Sequence, residues 1–345
     1  MRIAYPGDYD AAYAASAPVL YHLGLEGAPT NNAFFVKTTE VFAIRHGECP
    51  DYVRGAMQRI FAQSASAAGR ANVVANLRLC DEKMPVMEGG PLGGGGPNDW
   101  ASMLSLWVSN AFATLSMENY PYESEGFKKW PLLSACTDMH SFVGTNGGNG
   151  NDDDVLVRAL AIAMDYAYNM TNLPIPCFNI TDEYAPCADL TGCGAANTPD
   201  AMSWDFASCT EIVSPVDTNN VTDMLPPSPY NFDKLKSYCA KRWYGAVPKP
   251  LLSSKIYPWY SQDRIVWSNG DYDGWSVGGI QPHTPGTPAD TLVIIIPEAA
   301  HHLDLRGSSP QDPAAVIRAR VKIRRQLLTW VEEATAERLA RGRRA

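Results

Sequence analysis

The sequence predicts an α/β fold with a large, mainly helical insertion. Three observations predict it. Short apolar runs with strand character stand near both ends of the 345 residues. Helical periodicity fills the middle. All eight cysteines fall between residues 49 and 239, inside that helical middle. Strand–loop–helix units flanking a helical block are how an α/β domain reads when another unit is inserted into it. The expected division is residues 1–30 as a first core segment, 31–250 as the insertion and 251–345 as a second core segment.

Taken in order, the first 20 residues read as a helix end, a polar turn and a small-residue strand. Ala14-Ala15-Ser16-Ala17-Pro18 marks that strand and its exit. Residues 31–64 carry helical periodicity through Phe34, Phe35, Val41, Phe42, Tyr52, Met57, Ile60 and Phe61. Residues 89–96 are glycine-rich, but no Gly-Lys-Ser/Thr follows, so a surface loop is expected rather than a phosphate loop. Residues 100–117 are a further helix. Asp152, Asp153 and Asp154 precede an apolar helix over 155–164, and acids there complement a helix N-terminus. They lack the spacing and distal Glu of a calcium loop. Arg264 to Ser268 form a short strand ending in Asn269-Gly270. Residues 291–296 form the strongest strand, and their unbroken apolar run suits a parallel strand covered on both faces. After Pro313 a long amphipathic helix is expected, with Val316, Ile317, Val321, Leu327, Leu328 and Val331 on its apolar side. Its tail carries Arg338, Arg341, Arg343 and Arg344, read as a solvated helix end.

Composition excludes several classes. With 46% hydrophobic and 19% charged residues the chain is too apolar to be disordered. A net charge of −9 argues against a nucleic-acid partner, which needs a basic face. No run of about 18 apolar residues predicts a membrane span. The first residues show no signal core or cleavage site. The cysteines are Cys49, Cys80, Cys136, Cys177, Cys187, Cys193, Cys209 and Cys239. They lack paired zinc-ribbon spacings, so no metal is predicted and disulfides in an oxidising compartment are favoured over free thiols. Sequons at Asn169, Asn179 and Asn220 cluster with them and suggest glycosylation.

The chemistry concentrates in two loops, each following a predicted parallel strand. Catalytic groups sit at the carboxyl ends of such strands. One loop is Asp271-Tyr272-Asp273-Gly274-Trp275. The other is Ala299-Ala300-His301-His302-Leu303-Asp304. An acid after one strand and a histidine after the next is the order of an α/β-hydrolase triad. The acid fixes the imidazole tautomer, and the imidazole takes a serine proton. From spacing alone, Asp273 as a turn residue and His301 as a surface histidine remain open.

Four stretches extend the pattern: Tyr13-Ala14-Ala15-Ser16-Ala17-Pro18-Val19, Trp204-Asp205-Phe206-Ala207-Ser208-Cys209-Thr210-Glu211, Ser268 to Trp275, and Ala300-His301-His302-Leu303-Asp304-Leu305-Arg306. Tyr120-Pro121-Tyr122 and Cys177-Phe178-Asn179-Ile180 add weaker support. Through these the chain resembles the serine carboxypeptidase family that includes lysosomal Pro-X carboxypeptidase, dipeptidyl peptidase II and the thymus-specific serine protease. The resemblance implies a partial α/β-hydrolase fold with a disulfide-stapled helical cap over residues 31–250. It implies Asp273 as triad acid and His301 as base, with His302 next, and Trp275 as a wall of a proline pocket. It implies bridges Cys49–Cys136, Cys80–Cys177 and Cys209–Cys239, which leave Cys187 with Cys193. It implies peptide substrates with proline near the scissile bond, a homodimer, a lysosomal or secreted location, and no cofactor.

The family nucleophile sits in a Gly-Gly-Ser-Tyr-Gly-Gly elbow, and these 345 residues contain none. One literal Gly-x-Ser-x-Gly, Gly274-Trp275-Ser276-Val277-Gly278, overlaps the acid loop and precedes Pro282 and Pro285, so it cannot open a helix. Ser16 fares no better. Two explanations follow: a longer enzyme whose front carries the serine and the signal peptide, or a non-catalytic glycoprotein that binds peptides. The expectation is a serine exopeptidase acting at proline bonds, shown here without its nucleophile and so inactive as given. An esterase using Ser276 is a third, testable reading.

Overall fold

The computed structural model describes residues 2–23, 25, 28–83, 100–147, 154–169, 174–180, 199–250 and 262–342. The glycine-rich loop, Asp152, Asp153, Cys187, Cys193, Arg343 and Arg344 lie outside these residues.

Three strands form one parallel sheet in the order β1 (Ala12–Ala15), β2 (Ile265–Gly270), β3 (Leu292–Ile296). Ala12 pairs with Ile265 and Val266 with Leu292. Strand side chains alternate between faces. Val266 therefore packs on one face with Ile296, Ala299 and the C-terminal helix, while Ile265 and Trp267 pack on the other with Val19 and Ile280. The parallel pairing agrees with the apolar run at 291–296, but its burial does not. β3 is an edge among the described residues, and only its last residue, Ile296, is fully buried. Residues 2–8 form turns rather than a helix end, consistent with Pro6-Gly7.

The helices are α1 (Ala33–Phe42), α2 (Cys49–Ser64), α3 (Ala67–Leu77), α4 (Trp100–Met117), α5 (Pro131–Asn146), α6 (Val155–Tyr168), α7 (Pro199–Thr210), α8 (Phe232–Arg242) and α9 (Ala314–Gly342). The periodic run at 31–64 is two helices, because Gly47 and Pro50 interrupt it and Pro50 starts α2. Ser66 caps α3 through Gly69 N–H at 3.0 Å. α4 is buried on nearly every side, including Leu104, Trp107, Phe112 and Leu115, so it forms the centre of the helical body. α1, α2, α5 and α6 pack around it in one continuous core. Asp154 stands at the start of α6, yet its carboxylate accepts from Gln63 Nε2 (2.6 Å) and Asn72 Nδ2 (2.6 Å). It ties α6 to α2 and α3, a role beyond the expected helix-dipole effect.

Cys49–Cys136 joins α2 to α5, and Cys209–Cys239 joins α7 to α8. Cys80–Cys177 closes a 97-residue separation between the end of α3 and the segment before α7. Among the described residues no helix is long and apolar enough to cross a membrane.

α9 corrects one expectation. Its buried positions are Val316, Ala319, Ile323, Trp330 and Ala334, which follow helical spacing onto the sheet. Ile317, Val321, Leu328 and Val331 are about half exposed on a second stripe. The apolar residues cover too wide an arc for one contact face, and hydropathy alone could not tell which stripe meets the sheet.

The sequons divide by burial. Asn169 is 7% exposed at the end of α6, Asn179 is exposed and Asn220 is half-buried. A glycan needs an outward asparagine. Produced in a eukaryotic secretory host, the chain will show a glycosidase-sensitive mass shift that Asn179→Gln diminishes and Asn169→Gln leaves unchanged. An unchanged shift in Asn179→Gln would refute this.

Candidate active site

β2 and β3 end side by side and deliver two loops to one edge. Gly270 closes β2 against the histidine loop. A Cβ there would stand 2.3 Å from Ala299 O and 2.7 Å from Ala300 O, so only glycine permits the approach. Asp271 N–H donates to Ile296 O (2.9 Å) and Tyr272 N–H to Ala299 O (2.9 Å), which locks the acid loop to the histidine loop.

Asp273 follows and is fully buried. Its Oδ1 accepts from Trp275 N–H at 2.9 Å, which starts a 3-10 turn over Gly274–Gly278. Its Oδ2 lies 2.7 Å from His301 Nδ1. The His301 side chain is 18% exposed. Among the described residues its ring makes no other hydrogen bond, so its Nε2 has no hydrogen-bond partner among them. Asp273 and His301 are therefore together, while His302 is not on the acid. The His302 N–H donates to Ser16 Oγ at 3.0 Å, and its ring lies 3.7 Å from that of His301. His302 (φ 58°) and Ser16 (φ 48°) both have left-handed backbones, which turns their loops toward each other.

Burial, then the adjacent His301, push the His302 imidazole below the ordinary histidine range, against smaller opposing effects of Asp273 and Asp304. A histidine with a depressed folded value binds more protons when unfolded, so it contributes stability that is present above the ordinary value near 6.5 and lost as pH falls below it. His302→Gln should accordingly reduce the loss of thermal stability between about pH 7 and pH 5. Parallel melting curves for the two proteins across that range would contradict it.

Sequence reasoning missed the groups that hold this loop. Asp304 is buried and accepts from Ser268 Oγ on β2 (2.5 Å) and from Tyr13 Oη on β1. Arg320 on α9 donates to Leu303 O (2.7 Å), Asp304 O (3.1 Å) and Asp312 (2.5 Å). Arg306 donates to Ser124 Oγ and Glu125, both at 2.6 Å, and lies 4.3 Å over the Tyr120 ring. Tyr120 Oη donates to His301 O at 2.7 Å. The only sequence signal for these was the specificity of the His-His-Leu-Asp-Leu-Arg run and of Tyr120-Pro121-Tyr122.

Trp275 packs against Phe34 in a tilted arrangement (4.7 Å) and edge-to-face with Tyr21 (5.7 Å), and its indole N–H donates to Met117 Sδ (3.2 Å). It lines a cavity of about 260 Å³ with Phe34, Ala113, Met117, Val213 and Trp204. Ser276 sits within the 3-10 turn, 8% exposed, and not in a strand-to-helix elbow.

The model of the serine carboxypeptidase S28 family matches residues 1–323. The chain belongs to that family. Family members are serine peptidases. Among relatives, this S28 chain is 28% identical over 342 residues to the lysosomal Pro-X carboxypeptidase of Mus musculus, with 96% of this chain and 60% of that protein covered. It is also 28% identical over 340 residues to that of Homo sapiens, with the same coverage. It is 24% identical over 347 residues to prolyl carboxy peptidase like protein 5 of Caenorhabditis elegans, covering 62% of it. The chain thus spans about 60% of the length of the mammalian relatives it matches.

Proposed function

We propose that Asp273 and His301 are the acid and base of a serine peptidase that cleaves peptides beside proline, with the nucleophilic serine supplied from outside these 345 residues. One observation carries this reading. His301 rests its Nδ1 edge on buried Asp273 while the other edge meets no protein hydrogen bond among the described residues. An imidazole so held can accept a proton from a serine hydroxyl as it attacks the scissile carbonyl. It then returns that proton to the leaving amine, and Asp273 stabilises the imidazolium between the two transfers.

The aromatic cavity beside Trp275 supports a proline next to the scissile bond, because the pyrrolidine ring is apolar and packs flat on aromatic faces. Disulfides and the names of the mammalian relatives support a lysosomal or secreted location. In this reading residues 31–250 form a cap that restricts access to peptide ends. A second reading, a non-catalytic glycoprotein that binds peptides, draws on the lack of any serine on His301 among the described residues.

The test expresses the reading frame together with any coding sequence upstream of Met1, alongside the 345 residues alone. Both are treated with a fluorophosphonate probe and assayed on peptides with proline on either side of the bond. Hydrolysis by the extended form that disappears in His301→Ala supports the enzyme. No labelling and no hydrolysis by either form would leave the binding protein.

A further inference from the structure

We propose that residues 116–120, at the end of α4 and just beyond it, brace both loops of the Asp273–His301 pair, with Tyr120 the positioning residue for His301. The inference deepens the proposed peptidase site and rests on that reading for its catalytic meaning. Three contacts converge from this one short segment. Gly274 N–H donates to Ser116 Oγ at 3.2 Å. Trp275 Nε1–H donates to Met117 Sδ at 3.2 Å. Tyr120 Oη donates to His301 O at 2.7 Å. The first two hold the acid loop and the third holds the histidine loop, so the acid–base spacing is referred to one short segment that spans the end of α4 and the residues just after it.

The segment is built to stay fixed. Ser116 is fully buried and Tyr120 is 3% exposed. Trp130 N–H donates to Tyr120 O at 2.6 Å. The Arg306 guanidinium covers the Tyr120 ring, anchored by Ser124 and Glu125. Arg306 itself lies five residues after His301, so the histidine loop grips the segment that grips it. A cation over a tyrosine face adds to burial in fixing the ring. The carbonyl of His301 is thereby pinned by Tyr120 while Nδ1 is pinned by Asp273, and two fixed points set the direction of the imidazole.

The test needs no nucleophile. A His–carboxylate hydrogen bond of this kind yields a low-field imidazole Nδ1 proton resonance, which the 345-residue chain should show. Tyr120→Phe keeps the ring and removes only the hydroxyl. Its expected effect is exchange of that proton with solvent about fivefold faster, the population change that one net hydrogen bond corresponds to. Tyr244→Phe is the control, since Tyr244 is 89% exposed. A folded Tyr120→Phe protein whose resonance and exchange match those of the parent overturns the proposal. Should Tyr120→Phe fail to fold, Arg306→Lys takes its place, and it must speed the same exchange or the proposal fails. Absence of the resonance in the parent would instead count against the Asp273–His301 pair, and so against the peptidase reading itself.

Discussion

Asp273→Asn, in a form that carries the serine, is expected to lower kcat by about 10⁴-fold with little change in KM. Asp273 divides its two oxygens between Trp275 N–H and His301 Nδ1. An amide can keep only one of these acceptor positions. If its oxygen serves Trp275, its NH₂ faces Nδ1 and selects the opposite tautomer, with the proton on Nε2 where the base must be free. The cavity at Trp275 is not built by that oxygen, so substrate binding changes little. His301→Ala should cost at least as much. His302→Ala should cost far less, because His302 meets His301 by ring contact and does not touch Asp273 through a hydrogen bond. Steady-state kinetics on free-amine Xaa-Pro and free-carboxylate Pro-Xaa substrates checks all three and reads the preferred peptide end. Equal losses at His301 and His302 would overturn the assignment of the base.

Asp304→Ala is expected to destabilise the folded chain by about 3 kcal/mol or more. Hydrogen bonds to a charged group contribute about 1.5–3 kcal/mol each, and Asp304 accepts two from the sheet, at Ser268 and Tyr13. Truncation leaves the buried Ser268 hydroxyl and the half-buried Tyr13 hydroxyl without this acceptor. Ser268 is 1% exposed, so water does not readily replace the lost carboxylate. Ser268→Ala combined with Tyr13→Phe should also destabilise, since it removes the same two bonds and leaves the Asp304 carboxylate without those donors. Urea denaturation of the 345-residue chain measures both. A loss under about 1 kcal/mol for Asp304→Ala would show that the carboxylate is solvated and that the network contributes little.

The same network explains why His301-His302-Leu303-Asp304-Leu305-Arg306 was so informative as a string. Each residue has a different neighbour. His301 meets Asp273, His302 meets Ser16, Leu303 is buried under α9, Asp304 takes β1 and β2, and Arg306 takes Tyr120. Leu305 alone is substantially exposed, at 55%. A run that satisfies five separate environments tolerates few alternatives. The string was recognisable because of those contacts, but it could not disclose them. Of the candidate site, Asp273, His301 and Trp275 were singled out from loop position and resemblance. Ser116 and Met117 were not, since they lie more than 150 residues earlier and belong to a helix whose pattern signals only burial, and Tyr120 stood out only through the weak Tyr120-Pro121-Tyr122 match.

The bounds of α4, of β2 and of β3 followed closely from local pattern, because periodicity and β-branched runs act over a few residues. The sequence by itself determined that strands flank a helical middle, that an acid and a histidine each follow a strand, and that eight cysteines lie in between. Tertiary structure decided the rest. It decided which stripe of α9 faces the sheet, that the strong run at 291–296 lies at an edge, and that His301 rather than His302 meets Asp273. Each of these depends on which surfaces meet across long chain separations. Two adjacent histidines have the same local chemistry, and only the left-handed backbone of His302 and the packing around Asp273 set them apart.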